Sequence, residues 1–266
     1  MKPAPFDYRA ATDVADAVAL LGEGAVHAKA CGGSQSLGPM LNLRLAQVER
    51  LVDVSRLDAL RAISLSDDRL RIGAAVTHAR IEDGELPDAT CGLLPFVAKG
   101  IAYRAVRNRG TLGGSVANND PAACYPAACL GLDATIHTDR RSIAAGDFFK
   151  GLYETALADG EVITSVSFPI PEKAAWQKFK QPASRFSLVG VFVSKSSAGV
   201  RVAVTGAGSG VFRATAVEAA LASNWSQAAA AGVSVSADGL STDLHGSAAY
   251  RAALIPVLAG RAVAAS

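Results

Sequence analysis

Two short glycine clusters, Gly32-Gly33-Ser34 and Gly110-Thr111-Leu112-Gly113-Gly114-Ser115, constrain the fold of this 266-residue chain more than any other feature. A glycine has no Cβ, so backbone can approach backbone or ligand more closely than a side chain would allow. Each cluster stands where an apolar segment gives way to a helix, and there several N–H groups can converge on one anion. Either cluster alone reads more readily as a tight turn, and only the pair brings the anion-binding reading level with it. Together, with Ser34, Gln35, Ser36 and Ser115, Asn118, Asn119 as small polar neighbours, they suit a pyrophosphate. No Lys-Ser or Lys-Thr follows either cluster, and neither has the G-x-G-x-x-G spacing, which disfavours a triphosphate loop and Rossmann-type nicotinamide binding.

Periodicity supplies the elements around the clusters. Phe6 to Ala10 reads as a strand, and Thr12 as the cap of a helix carrying Val14, Val18 and Leu21. A strand from His27 to Cys31 runs into the first cluster, and Pro39 suits the first turn of the helix after it. Leu51 to Val54 is a strand, and Ile63, Leu65, Leu70 and Ile72 flank Asp67-Asp68 as the arms of a hairpin. Leu93 to Ala105 reads as one buried helix and Ala122 to Leu130 as another; Ala134 to His137 and Val162 to Phe168 are strands. Pro169 and Pro171 mark the clearest linker, since neither donates a ladder hydrogen bond. Beyond it, Trp176 to Lys180, Leu188 to Ser194 and Val200 to Thr205 form a three-stranded meander, followed by helices at Thr215 to Leu221, around 228–231 and at Ser247 to Ala264. The expectation is an α+β chain with a first domain at 1–170, in subdomains of about 1–55 and 56–170, and a small domain at 175–266.

Composition removes other classes. With 50% hydrophobic and 19% charged residues the chain can bury a core, and 26 basic against 24 acidic residues leave no general affinity for nucleic acid. No apolar run reaches the ~18 residues of a membrane helix. Cys31, Cys91, Cys124 and Cys129 form no C-x-x-C pair, which points to a reducing cytoplasm. His27, His78, His137 and His245 lack helix-borne metal spacing and read as structural or surface residues. No G-x-S-x-G elbow is present at either cluster. Arg104, Arg107 and Arg109 serve equally as phosphate neutralisers or as a solvated or interface face.

The strings Gly32-Gly33-Ser34-Gln35-Ser36-Leu37-Gly38-Pro39-Met40-Leu41-Asn42-Leu43-Arg44 and Arg107-Asn108-Arg109-Gly110-Thr111-Leu112-Gly113-Gly114-Ser115-Val116-Ala117-Asn118 resemble the two flavin-binding loops of the medium subunit of molybdenum hydroxylases, the carbon monoxide dehydrogenase and xanthine dehydrogenase family. The likeness continues through 160–165, 178–186 and 244–251. It implies an oxidoreductase complex in which a large subunit holds the molybdopterin cofactor, a small subunit holds two [2Fe-2S] clusters, and this chain holds FAD as the electron exit. A dimer of such heterotrimers in the cytoplasm is expected. Two clusters need roughly eight cysteine ligands, so the four cysteines here place the clusters on another chain.

By this resemblance, Gly32 to Leu37 wrap the pyrophosphate with their N–H groups, and Gly110, Thr111, Gly113, Gly114 and Ser115 close on it from the other side. Asn118 adds a polar contact, Ile101 and Ile163 touch the flavin, and Lys180 is a basic group near the isoalloxazine. Phe186 stands where relatives have a tyrosine, and Cys124 where they commonly have an FAD-contacting aspartate. No residue of the chain need be a general acid or base, because the flavin carries the redox chemistry. The competing expectations are a stand-alone FAD oxidase or reductase of the same two-loop fold, and an interaction module without a cofactor.

Overall fold

A computed structural model describes residues 2–24, 26–66, 68–85 and 92–266; Asp67 and Cys91 lie outside them. The first subdomain runs β1 (Asp7–Ala10), α1 (Val14–Gly22), β2 (Ala28–Cys31), α2 (Leu37–Asn42) and β3 (Arg50–Asp53). Its strands form a parallel sheet in the order β1-β3-β2. Asp13, not Thr12, caps α1: its carboxylate accepts from the Asp16 N–H at 2.8 Å, and Asp16 accepts in turn from the Thr12 N–H. The two carboxylates thereby satisfy two backbone donors at the start of α1, in the manner of a capping box.

The second subdomain contains β4 (Ile63–Leu65), β5 (Arg69–Gly73), α3 (His78–Glu82), α4 (Leu93–Lys99), α5 (Arg104–Arg107), α6 (Leu112–Asn118), α7 (Cys124–Gly131), β6 (Thr135–Thr138), β7 (Ser142–Ala144), α8 (Ala145–Phe148), β8 (Phe149–Gly151), β9 (Glu154–Thr155) and β10 (Ile163–Pro169). An antiparallel sheet in the order β4-β5-β10-β6-β7 packs against these helices. The single helix expected over Leu93 to Ala105 is two, α4 and α5, because the chain breaks at Gly100 and turns through Ala102 with φ 40°. The β8–β9 hairpin has no periodic signal in so short a segment; the Asn119 amide holds it by donating to the Gly151 and Glu154 carbonyls, both at 2.8 Å.

The C-terminal part is β11 (Lys173–Lys180), β12 (Ser187–Ser196), β13 (Gly199–Thr205), β14 (Phe212–Arg213), α9 (Thr215–Ser223), α10 (Gln227–Ala231) and α11 (Ala248–Ala264). Its antiparallel sheet has four strands, not three; the two-residue β14 pairs with β13 through Ala203 and Val204 and is too short to show alternation. Pro169 and Pro171 do not mark a slack linker. Only 170–172 separate β10 from β11, and the Ile170 and Glu172 N–H groups donate to the Asp68 and Lys195 carbonyls.

The sheet is covered on both faces. Val189, Val191 and Val193 of β12 pack with Ile255, Leu258 and Ala259 of α11, whereas Phe192, Trp176 and Ala203 join the core built around α7. Such double burial explains why β12 reads as a nearly continuous apolar run. Gly131 at the end of α7 meets Phe192 so closely that a Cβ there would stand 2.4 Å from the ring. Ser194 Oγ donates to the Gly131 carbonyl at 2.6 Å, and Thr205 Oγ1 donates to the Pro121 or Ala123 carbonyl, each at 2.8 Å. Phe192→Ala is therefore expected to cost about 3–5 kcal/mol of unfolding free energy in urea titrations; a loss below about 1 kcal/mol would mean that the sheet and α7 do not share a core.

Candidate functional site

The two glycine clusters meet. β2 delivers Gly32 to Ser36 as a loop into α2, and α5 delivers Gly110 into α6. A Cβ on Gly33 would lie 2.0 Å from the Arg109 carbonyl oxygen and 2.6 Å from the Gly110 Cα, so backbone rests on backbone and only glycine fits. Ser34 takes the left-handed conformation, φ 54°, that turns the loop into α2. Together the loops line a cleft that is partly open to solvent.

Amide accounting separates the roles of the loops. Among the described residues, the N–H groups of Gly33, Ser34, Gln35, Ser36 and Leu37 donate to no protein acceptor. The second loop is largely spent. Leu112 N–H donates to the Val76 carbonyl, Gly113 N–H to Ala74, Gly114 N–H to the Thr111 hydroxyl and Ser115 N–H to the Thr111 carbonyl. These bonds seat α6 against the turn after β5, which is a structural task. The expectation that both loops present a row of N–H groups is thus corrected: the first loop presents them, and the second supports it.

Of the residues expected at the site, Gly32, Gly33, Ser34, Gln35, Ser36, Leu37, Ile101, Gly110, Thr111, Gly114, Ser115, Asn118, Cys124 and Phe186 line the cleft. Three do not. Gly113 is packed against Ala74, whose Cβ would be 2.5 Å from an added methyl. Ile163 is buried in the main core at the start of β10. Lys180 is exposed at the last position of β11, beside a register shift in which β12 carries the extra residue, Leu188, and it does not line the cleft. Lys178 takes its place in the lining, with its ammonium donating to the Gly100 carbonyl at 3.0 Å and to Cys124 Sγ at 3.3 Å.

Sequence reasoning also missed His78, Ala102, Asp120 and Arg185, which line the cleft. Arg185 has φ 62° and lays its guanidinium 4.7 Å from the centre of the Tyr103 ring; the Tyr103 hydroxyl donates to the Ala183 carbonyl. A two-residue alternation from Lys180 would have pointed to Lys178; nothing local distinguishes His78. Arg104 and Arg107 are committed elsewhere, to Asp83 and Glu82, so neither is available to neutralise a phosphate.

Among the described residues, no group of three or more His, Cys, Asp or Glu could hold a metal, and no helix is long and apolar enough to cross a membrane. Cys31, Cys124 and Cys129 are buried free thiols, and burial pushes Cys31 up to about 11.

Fold and cleft together define a protein with an open cleft lined by two glycine loops, an aromatic ring at Phe186 and the Lys178 ammonium, which suits a cofactor. A family description, FAD binding domain in molybdopterin dehydrogenase, matches residues 4–171. The chain belongs to that family, whose members are subunits of oxidoreductases, and FAD is the cofactor of its domain. It is 34% identical to the 6-hydroxypseudooxynicotine dehydrogenase complex subunit alpha of Paenarthrobacter nicotinovorans, over 99% of this chain and 95% of that one. It is also 34% identical to the carbon monoxide dehydrogenase medium chain of Hydrogenophaga pseudoflava, over 77% and 76%. A solved structure of carbon monoxide dehydrogenase from Hydrogenophaga pseudoflava, in a form lacking the Mo-pyranopterin moiety of the molybdenum cofactor, superposes with a TM-score of 0.89 at 33% identity, covering 100% of this chain and 98% of that one.

Burial, helped by the Arg107 charge, holds His78 down to about 4 from the ordinary 6.5, so the imidazole lining the cleft is neutral at physiological pH. Its ring resonances are expected to show no NMR titration between about pH 5 and 8; a titration near 6.5 would show a solvated ring. Because the unfolded chain binds this proton first, His78 costs stability as the pH falls below 6.5 toward 4.

Proposed function

We propose that FAD lies along the cleft with its pyrophosphate on the free N–H groups of Gly33 to Leu37 and its ring system between Ile101, Cys124, Lys178 and Phe186. Gly32, Gly110, Thr111, Gly114, Ser115 and Asn118 complete the floor and the near wall. The observation that carries this reading is the row of five unspent amides held open by the Gly33–Arg109 contact. A diphosphate satisfies such donors without needing an arginine, because backbone dipoles aimed at one point suffice. Phe186, half exposed, can cover a ring face, though without the hydroxyl of a tyrosine. Lys178 carries the positive charge first assigned to Lys180, and its contact with Cys124 holds that charge in place.

Bound FAD supplies the redox chemistry by taking up and releasing electrons. The chain contributes position and field: the first loop fixes the diphosphate, Lys178 favours electron density on a reduced ring, and the neutral His78 adds no charge of its own. We place the chain as the medium subunit of a molybdenum hydroxylase complex, receiving electrons from [2Fe-2S] clusters of a small subunit, beside a large molybdopterin subunit, and passing them to an external acceptor. Relatives named as medium chains and as a subunit of a dehydrogenase complex support a multi-subunit assembly; a dimer of heterotrimers is the form we expect. Buried free thiols suit a cytoplasmic setting.

Gly33→Asp and Gly114→Asp each add a carboxylate beside the diphosphate position. Both are expected to yield protein without the yellow flavin absorption, with far-ultraviolet circular dichroism retained in Gly114→Asp, where the added Cβ meets only the Thr111 hydroxyl. Full FAD occupancy in both variants would refute the assignment. Co-purification of the tagged chain followed by mass identification is expected to recover an iron-sulfur chain and a molybdopterin chain.

A further inference from the structure

The turn from Gly100 to Tyr103 contributes Ile101 and Ala102 to the lining of the cleft and is held by cations. Ala102 has φ 40°, a conformation that a residue with a Cβ keeps only where its surroundings over-determine it. Here three successive carbonyls are gripped. Lys178 Nζ donates to the Gly100 carbonyl at 3.0 Å, and Arg107 Nη1 donates to the Ile101 and Ala102 carbonyls at 2.8 and 3.1 Å. Arg107 is itself seated on Glu82, with Nε and Nη2 donating to the two carboxylate oxygens at 2.6 and 3.0 Å. Both side chains are largely buried, at 10% and 14% exposure, which sets this pair apart from the surface pairs.

The direction of these bonds matters. A trans peptide is planar, and its C=O and N–H point opposite ways; no peptide bond here is cis. Turning the Ile101 and Ala102 carbonyls onto Arg107 therefore aims the N–H groups of Ala102 and Tyr103 away from it. Among the described residues, neither N–H donates to a protein acceptor, and Ile101 and Ala102 line the cleft.

We propose that Arg107, seated on Glu82, is a positioning residue that sets the Ile101–Ala102 turn so that the Ala102 N–H donates to an electronegative ring atom of the flavin. The proposal rests on the reading that puts the ring system of FAD at this end of the cleft. A fixed donor aimed at a ring that gains electron density on reduction stabilises the reduced form more than the oxidised one. The turn thus raises the flavin potential as well as fixing the ring. A planar guanidinium is needed, because one group must reach two carbonyls and a carboxylate together; an ammonium has the charge without the fork.

The test is a spectroelectrochemical titration of FAD in the purified complex carrying Arg107→Lys, Ala102→Val or Arg213→Met. The valine variant leaves every charge in place but cannot hold a positive φ. The Arg213 variant breaks a comparable ion pair with Glu218 in the C-terminal part. Arg107→Lys and Ala102→Val are each expected to lower the potential enough to change the ratio of oxidised to reduced FAD tenfold at a fixed poise, about 30 mV for a two-electron couple. Arg213→Met is expected to leave it unchanged. An unchanged potential and flavin spectrum in the loaded Arg107→Lys or Ala102→Val complex overturns the proposal. So does an equal shift in Arg213→Met. If Arg107→Lys fails to assemble, Ala102→Val decides by the same criterion; if it too fails to load FAD, the turn anchors the ring rather than tuning it and the proposal falls. An unsubstituted complex that holds no FAD would defeat the cofactor reading instead, which separates the two failures.

Discussion

Contact between the Gly33 backbone and the Arg109 carbonyl organises the rest of the site. Two segments more than seventy residues apart in the chain are brought to a separation that no side chain could survive: an added Cβ would be 2.0 Å from that oxygen. Beside this contact, among the described residues, the amides of Gly33 to Leu37 donate to no protein acceptor, and their residues line the cleft. The second loop instead spends its own amides on Val76, Ala74 and Thr111. One loop is a ligand-facing surface and the other is its buttress, an asymmetry that two similar glycine strings do not reveal.

The far end of the cleft depends on a different constraint, the sharing of α7 between two sheets. The helix is buried along its whole length, with one side in the core of the second subdomain and the other against Phe192 and Trp176. Thr205 and Gly206 bind the Pro121 carbonyl, which fixes the segment leading to Cys124. Lys178, on β11, then reaches across to Cys124 and Gly100. The C-terminal sheet is therefore part of the site's architecture, and the short passage at 170–172 is a strand-to-strand connection rather than a hinge.

Much of this was legible in the chain itself, for identifiable reasons. Strands beside the clusters show alternation or sustained apolar runs, and the glycine strings are dense enough to mark both loops, so fourteen of the seventeen expected site residues line the cleft. The three exceptions each have a local cause. Gly113 is a glycine for packing on Ala74, Ile163 is buried in the core beside a register shift, and Lys180 lies exposed at the last position of β11. Helix and sheet boundaries failed where short elements carry no period: the break at Gly100–Tyr103, the β8–β9 hairpin and β14.

The amino-acid sequence by itself determined that two small-residue loops must exist, which strands and helices flank them, that its four cysteines are too few for two iron-sulfur clusters, and to which family it belongs. Those properties are local in the chain or are counts, so they survive without coordinates. Only the tertiary structure decided which amides stay free, which lysine reaches the cleft, and that Arg107 is locked to Glu82 behind a left-handed alanine. Each of these depends on a distance between residues far apart in the chain, which leaves no trace in composition or periodicity.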